Sequence, residues 1–244
     1  MELYNMIFQR KSVRSYTGQP VEQELLEKIR AFMDGAVPLD PAIPVRGRIL
    51  TKDRVRCIFP WVTPQVIAIY TDDSPNAMIN AGFLFQQIDL YLHSLGLGTC
   101  WLGMGRLDER AGVSVTEEDG LRFAMMLAFG HAKGSTRRDS LREFKRRSPE
   151  EISDRPDPRL EPARLAPSSV NSQPWYFIHR GEEIHVYCVR QGLLKKHVLS
   201  DMNQFDMGIA LAHLYVSSPD TFRYTHKADV PEKKGYGYVG TINL

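Results

Sequence analysis

The sequence feature that most constrains the fold is a long apolar segment, Asn76 to Leu95. In a helical conformation, apolar side chains would surround almost its whole circumference, which is typical of a helix buried on all sides. Asn80 is one of several polar residues that interrupt the segment, so a core helix is predicted rather than a membrane span. Asp73-Ser74-Pro75 resembles an N-cap followed by a first-turn proline, and Gly96 and Gly98 mark the end of the helix.

A second helix is predicted from about Met202 to Val216. Within it, Met207-Gly208-Ile209-Ala210-Leu211 resembles Ala81-Gly82-Phe83-Leu84-Phe85 of the first helix. We interpret this similarity as the trace of two diverged copies of one helix-loop-strand-helix unit. The predicted first half is residues 1–147, and the predicted second half is the shorter segment 148–244.

Shorter elements surround these two helices. Apolar periodicity predicts amino-terminal helices at Glu2 to Gln9 and Val21 to Met33. Runs rich in β-branched and aromatic residues predict strands. These runs are Val66 to Tyr70, Trp175 to Arg180, Ile184 to Arg190 and Tyr238 to Ile242, and the apolar run Phe123 to Phe129 is predicted as another buried strand.

Composition disfavours several classes of protein. The 244 residues are 43% hydrophobic and 25% charged, as in an ordinary globular protein. The formal net charge of +2 is too small to favour nucleic acid or an anionic membrane as the main partner. Three cysteines, Cys57, Cys100 and Cys188, form no CxxC pattern, which favours a reducing compartment. Because the amino-terminal residues lack a signal-peptide pattern, a cytoplasmic protein is expected.

Three loop-like stretches carry polar or basic residues. In the stretch from Ala166 to Trp175, A-P-S-S-V-N-S-Q-P-W, prolines bracket hydroxyls and an amide. Such a rigid loop could hold a polar cofactor, and a plain connecting turn is the alternative. The basic loop, Arg10 to Tyr16, reads R-K-S-V-R-S-Y, and Gly96 to Gly103 reads G-L-G-T-C-W-L-G.

Together, these stretches resemble the flavin-dependent nitroreductase family. Arg10, Ser12 and Arg14 match the family's R-x-S-x-R-like loop, and Ala166 to Trp175 matches its A-P-S-x-x-N-x-Q-P-W loop. In the family both loops touch FMN, and a third loop, similar to Gly96 to Gly103, lies beside the flavin ring. The resemblance implies a nitroreductase-like α+β fold, with a mixed or antiparallel sheet flanked by helices, and FMN as cofactor.

The resemblance also implies a set of FMN contacts. The basic loop is expected at the phosphate and ribityl end, because fork-shaped guanidiniums bind phosphate well; a solvated basic turn is the alternative. The backbone at Leu102 and Gly103 is expected near the flavin N5, and Arg138, or alternatively Arg137, near the phosphate. The full set of expected contacts is Arg10, Lys11, Ser12, Arg14, Leu102, Gly103, Arg138, Pro167, Ser168, Ser169 and Asn171. Gln173 and Trp175 are expected to be structural.

The placement of the motifs departs from the family. An ordinary member carries the P-S-x-x-N loop where this chain has Gly35 to Pro44, which lacks the motif. In the family, FMN lies between two subunits, which supply the basic loop and the P-S-x-x-N loop respectively. Because each half of this chain has only one of the two loops, we expect a fused internal pseudo-dimer with one composite FMN site. A monomer of this kind is favoured over an obligate homodimer, with loop exchange between two chains as the alternative.

The expected activity follows from the resemblance. NAD(P)H would reduce FMN, and a nitroaromatic, quinone or similar small-molecule acceptor would then be reduced in a ping-pong sequence. No catalytic acid or nucleophile is expected, because the cofactor carries the chemistry. The alternative is a flavin-binding or flavin-storing protein without efficient turnover. A nucleic-acid-binding module that uses the basic run from Arg137 to Arg147 is disfavoured by the near-neutral charge, and no metal motif is found. The rest of that run is expected to be a solvated face.

Overall fold

The computed structural model describes residues 2–56, 65–116, 119–190 and 196–244. Cys57 and the end of the segment from Ala36 to Pro64, whose role as a cap over the flavin the sequence leaves open, lie outside these residues. The strands of the first half are β1 (Val45–Thr51), β2 (Val55–Arg56), β3 (Gln65–Thr71), β4 (Gly98–Leu102), β5 (Arg106–Leu107) and β6 (Arg122–Gly130). Four of them form an antiparallel sheet in the order β1-β3-β6-β4, and β2 pairs with β5.

The second half forms another four-stranded antiparallel sheet. Its strands are β7 (Trp175–Arg180), β8 (Glu183–Val189), β9 (Arg223–Thr225) and β10 (Tyr236–Asn243). Their order is β7-β8-β10-β9, so the last strand in the chain lies between the second and the third. The four-stranded sheet of the first half has this same arrangement. The predicted α+β class with antiparallel sheets is therefore confirmed.

Six α-helices complete the described fold: α1 (Glu2–Ile7), α2 (Gln23–Gly35), α3 (Ala77–Ser94), α4 (Pro149–Ile152), α5 (Glu161–Leu165) and α6 (Lys196–Ser217). The two long helices, α3 and α6, pack along each other. Apolar residues of both halves form one hydrophobic core around them. No helix in the described part of the chain is long and apolar enough to cross a membrane.

Two glycines set the close approach of α3 to α6. A Cβ added at Gly82 would lie 2.2 Å from the carbonyl oxygen of Phe205, and one added at Gly208 would lie 2.0 Å from that of Ile79. Each glycine thus faces the carbonyl three residues before the other glycine. Because no real Cβ comes so close to backbone atoms, the crossing requires glycine at both positions.

Two corresponding loops lead into the two sheets. The first-half loop, residues 36–44, connects α2 to β1, and the second-half loop, residues 166–174, connects α5 to β7. Each loop is held by a polar side chain of a central helix. Asn80 of α3 accepts a hydrogen bond from Leu39 N–H at 2.8 Å, and Asp206 of α6 accepts one from Ser169 N–H at 2.9 Å.

Several elements differ from their prediction. The central helix begins at Ala77, with Asn76 as a left-handed N-cap residue, so the predicted cap at Asp73-Ser74-Pro75 is wrong. The Asp72 carboxylate instead accepts hydrogen bonds from the backbone N–H and hydroxyl of Ser74, which forms a turn before the helix. Strands β1, β2, β4, β5 and β9 were not predicted. Gly98 within β4 looked like a helix terminator, and β9 is only three residues long.

Candidate functional site

A cavity of about 440 Å³ is lined by residues from both halves of the chain. This volume lies within the range of pockets that hold small molecules and cofactors. Its apolar walls are formed by Cys100, Trp101, Leu102, Gly103, Met104, Met125, Pro167, Val170, Met202, Phe205 and Ile209. Its polar or charged side chains are Ser12, Arg14, Ser168, Ser169 and Asp206. The mixture suits a ligand with a flat apolar part and a polar or charged part.

The basic loop reaches the cavity by pairing with the edge of the first sheet. Ser12 forms a parallel bridge with Thr99 of β4, and Val13 N–H donates to Thr99 O at 2.7 Å. Gly98 permits this approach, because a Cβ there would lie 2.8 Å from the side chain of Val13. Strand β4 thereby positions Ser12 and Arg14 along one wall.

The second-half loop forms another wall and contains backbone strain. Val170, Asn171 and Gln173 have φ values of 48°, 57° and 48°, in the left-handed region that disfavours side chains with a Cβ. Hydrogen bonds hold this conformation. Gln173 N–H donates to Ser168 Oγ at 2.9 Å, and Gln173 Oε1 accepts from Arg147 N–H at 2.8 Å. Strain that is held in place in this way is often found at ligand sites.

Asn171 braces the same loop from outside the cavity lining. Its Oδ1 accepts a hydrogen bond from Arg146 Nη1 at 2.6 Å, and its Nδ2 donates to the carbonyl of Lys145 at 3.0 Å. Gln173 and Trp175 are both buried, which confirms their predicted structural role. The loop is therefore a rigid wall.

Beneath the cavity, Arg10 is buried beside Asp89. Only 1% of Arg10 is exposed, and its Nε lies 2.9 Å from Asp89 Oδ2, without the alignment of a hydrogen bond. Burial opposes ionisation of Asp89, but Arg10 and neighbouring hydrogen-bond donors outweigh burial and hold its pKa below the usual value. Gln86 donates to Asp89 and accepts from Trp101 Nε1–H at 3.1 Å. This network therefore extends to Trp101 in the cavity wall.

Two further guanidiniums lie near Arg10. Arg138 donates to the carbonyl of Arg10, and its guanidinium carbon lies 4.2 Å from the centroid of the Phe144 ring. Arg146 donates to the carbonyls of Phe144 and Leu165, and its Nε is buried without a partner among the described residues. Burial, together with the charge of Arg10, lowers the pKa of Arg138 and of Arg146 to about 10. Because both bind carbonyl oxygens rather than carboxylates, positive charge accumulates here.

Asp206 places a carboxyl group in the cavity wall. The residue is 4% exposed, and its Oδ2 accepts from Ser169 N–H at 2.9 Å and from Ser172 Oγ at 3.5 Å. Burial raises the pKa of Asp206 to about 8, and these two hydrogen bonds oppose the rise. At pH 7 the side chain is therefore mostly a neutral carboxylic acid.

The cavity brings together much of the predicted site. The predicted contacts that line it are Ser12, Arg14, Leu102, Gly103, Pro167, Ser168 and Ser169. Arg10, Lys11, Arg138 and Asn171 lie outside the lining. Arg10, Arg138 and Asn171 bind other protein groups, and direct contact between these four residues and a cofactor stays a prediction.

Some residues of the site were not predicted from the sequence. Asp206 and its apolar neighbours Met202 and Phe205 come from α6, where the sequence indicated only a core helix. The sequence signal that could have identified Asp206 as a site residue is its position as an acid within a largely apolar helix. Arg146 and Arg147 were expected on a solvated face, and this is wrong, because both are partly buried beside the second-half loop.

A second cavity, of about 500 Å³, adjoins the first and shares Gly103, Met125 and Met202 with it. Its other wall is polar and includes Asp73 and Arg122, which form an ion pair at 2.7 Å. Two small molecules could therefore occupy adjoining space.

A family profile described as "Putative TM nitroreductase" matches residues 2–218. Among curated proteins, none matches this sequence significantly. A crystal structure described as a putative nitroreductase from Thermotoga maritima MSB8 is similar along almost the whole chain. The two are 18% identical, with 99% of this chain and 92% of that chain covered and a TM-score of 0.64. This likeness confirms the nitroreductase-like fold.

Two other crystal structures are less similar. A nitroreductase family protein from Clostridium difficile 630 is 18% identical, with 62% of this chain and 95% of that chain covered and a TM-score of 0.47. A nitroreductase with bound FMN from Desulfitobacterium hafniense DCB-2 is also 18% identical, with 56% and 92% covered and a TM-score of 0.45.

Proposed function

Since this chain belongs to the Putative TM nitroreductase family, we propose that it is an oxidoreductase that binds FMN in the cavity lined by both halves. One observation carries the FMN proposal. The basic loop, the end of β4 and the second-half loop, all of them FMN-binding stretches in the resemblance, line the same 440 Å³ cavity.

The cationic residues fit the phosphate of FMN. A phosphate dianion favours guanidiniums and backbone donors. Arg14 and Ser12 line the cavity, and Arg10, Arg138 and Arg146 lie behind them with a single ion-paired carboxylate, Asp89. We infer that Arg14 binds the phosphate directly and that the other guanidiniums supply a favourable potential.

The opposite walls fit a flat ring system. Leu102, Met125 and Phe205 offer apolar surface. At Gly103 a Cβ would lie 3.0 Å from Met202 Cε, so glycine lets the Met202 side chain pack close to the backbone there. When bound, FMN would supply hydride transfer, and the protein would orient its ring and exclude water.

We also propose that residues 1–147 and 148–244 are fused duplicates that form one composite site. Three observations support this: the shared strand order, the reciprocal contacts of Gly82 and Gly208, and the equivalent anchoring by Asn80 and Asp206. Because only one place combines the basic loop with the P-S-S-V-N loop, one FMN per chain is expected. Covalent fusion would keep the two parts of the site at high effective concentration.

The adjoining cavities suit a reaction with two small molecules in turn. We propose that NAD(P)H gives a hydride to the cofactor and that NAD(P)⁺ then leaves. A nitroaromatic, quinone or similar acceptor would take its place and be reduced. Met125 and Met202, which line both cavities, would contact either molecule. Met side chains adapt readily to different flat ligands.

Titration with FMN tests the cofactor proposal. We expect a yellow protein that releases about one FMN per chain on denaturation. Arg14→Ala removes a charge-assisted hydrogen bond, which contributes about 1.5–3 kcal/mol, so FMN affinity should fall roughly 10- to 150-fold. Arg30→Ala, at an exposed position of α2, is the matched control and should bind like the wild type. Equal affinity of both variants would contradict the assignment of Arg14.

Steady-state oxidation of NADH and of NADPH tests turnover. With a quinone or nitroaromatic acceptor, a ping-pong sequence predicts parallel lines in double-reciprocal plots. Bound FMN without oxidation of either nucleotide would instead identify a flavin-binding protein.

A further inference from the structure

We propose that Asp206 binds the flavin directly, by donating a hydrogen bond from Oδ1 to a carbonyl oxygen or ring nitrogen of FMN. The inference rests on the proposed FMN site and adds a residue that lies outside the family motifs. The inference has three requirements. The carboxyl group must face the cavity, one of its oxygens must have no hydrogen bond to the protein, and the group must be protonated.

The first two requirements are met by geometry. Asp206 lines the cavity together with Phe205 and Ile209 of the same helix. Its Oδ2 is occupied by Ser169 N–H and Ser172 Oγ. No hydrogen bond to Oδ1 is found within residues 2–56, 65–116, 119–190 and 196–244. That oxygen is also not among the buried side-chain atoms without a partner, and we infer that it faces the cavity that Asp206 lines.

Comparison with Asn80 shows that loop anchoring alone does not need an acid. Asn80 Oδ1 accepts from the N–H groups of Leu39 and Asp40, and its Nδ2 donates to the carbonyls of Asp40 and Ile43. A neutral amide therefore performs this task in the first half. In the second half an acid takes the corresponding place and leaves one oxygen for a ligand.

The third requirement is met by the surroundings. Burial raises the pKa of Asp206 to about 8. In the described part of the chain, Arg14 and Cys100 line the same cavity, and Cys188 of β8 lies close enough for Asp206 to influence its pKa. Burial, with a contribution from Asp206, raises the pKa of Cys188 to about 12, so this thiol stays neutral.

The ionisable groups of the other packed helices are engaged elsewhere. On α3, Asp89 pairs with Arg10, and on α5, Glu161 pairs with Arg164 at 2.6 Å. Burial and the hydrogen bonds from Ser169 and Ser172, rather than a charged partner, therefore set the pKa of Asp206. Its ionisation would both remove the donor and place a negative charge beside the flavin acceptor atom.

The test is FMN affinity, measured by fluorescence titration from pH 7 to pH 9. If only the protonated form binds, affinity of the wild type falls about tenfold over this range, because the loss approaches tenfold per pH unit above the pKa. Asp206→Asn keeps a neutral donor and should bind as the wild type does at pH 7, with no fall up to pH 9. Asp220→Asn, at an exposed position beyond α6, should follow the wild-type profile.

The outcomes separate this inference from the proposed function. A flat wild-type profile, or the same tenfold fall in Asp206→Asn, would overturn the role of Asp206. Absence of FMN binding at every pH would overturn the proposed function instead. If Asp206→Asn does not fold, infrared difference spectra of the wild type, with and without FMN, provide a second measurement. A protonated-carboxyl band that shifts on binding supports the inference, and the absence of such a shift at pH 7 would overturn it.

Discussion

The two corresponding loops differ in what surrounds them. In the first half, Asn80 binds its loop through four hydrogen bonds, and Leu39 packs against the core. In the second half, Asp206 uses one oxygen for its loop, and Ser169 faces the cavity. The second-half loop also contains left-handed residues, whereas no residue of the first-half loop has a positive φ. One architecture thus supports a loop packed against the core in one place and a wall of the cavity in the other.

The largest effect is expected at the crossing of α3 and α6, which both halves share. Gly208→Ala and Gly82→Ala would each force a methyl group against a backbone carbonyl, so the helices must separate. We expect each to lower the free energy of unfolding by about 3 kcal/mol or more, at the upper end of the usual cost of overpacking. Urea unfolding measures this loss.

Gly35→Ala is the matched control for both substitutions. Gly35 lies in α2, and a Cβ there would meet nothing within 4 Å. It should be neutral or stabilising by up to about 1 kcal/mol, because alanine favours helix more than glycine does. A large loss at only one of the two crossing glycines would show that the contact is not reciprocal.

The next largest effect on the free energy of unfolding is expected from exchanging acid and amide at Asn80 and Asp206, the two residues that hold the loops. Asn80→Asp would place a carboxylate against the carbonyls of Asp40 and Ile43, which now accept hydrogen bonds from the amide. We expect a loss of about 3 kcal/mol at pH 7, from two lost donors and electrostatic repulsion. Asp206→Asn should not lower the free energy of unfolding at pH 7, since the amide can still accept from Ser169 N–H and, unlike the carboxyl group, takes up no proton on folding. Equal losses would mean that the two anchors are not distinguished by charge.

The pH dependence of stability also distinguishes the acid Asp206 from the amide Asn80. The pKa of Asp206 is raised by burial from the usual value near 3.8 to about 8, so between these values the folded protein holds a proton that the unfolded chain releases. The contribution of the Asp206 carboxyl group to the free energy of unfolding is therefore fully present below about pH 4. It decreases as pH rises towards 8, by at most about 1.4 kcal/mol per pH unit. Urea unfolding from pH 5 to pH 8 should show this slope in the wild type. Asp206→Asn should be flatter, and an unchanged slope would assign it to another group.

The central features of the fold could be predicted because local sequence determines them. The helix Ala77–Ser94 is apolar on nearly every side, the runs at β3 and β7 are rich in β-branched or aromatic residues, and residues 123–129 of β6 are all apolar. The loop at 166–174 was recognisable from its prolines and hydroxyls. These patterns depend on residues that are close together in the sequence, so they can be recognised without knowing the tertiary structure.

The rest depends on contacts between distant residues. Strand β4 is short and contains Gly98, and its pairing is completed by the basic loop. The pKa of Asp206 rises because its side chain is buried in the fold, where α6 packs against α3. Arg146 is partly buried because the second-half loop folds against it. None of these environments leaves a local pattern in the chain.

The smallest effect is expected at the strained turn of the second-half loop. Val170 is 88% exposed and has a φ of 48°, so its side chain contributes little burial and strains the backbone. Asparagine tolerates the left-handed region, and Val170→Asn should therefore raise the free energy of unfolding by roughly 1 kcal/mol. Val37→Asn is the matched control, because Val37 is an exposed valine in the first-half loop without a positive φ. It should not be stabilising, and a similar gain in both variants, measured by thermal unfolding, would mean that backbone strain does not distinguish the two loops.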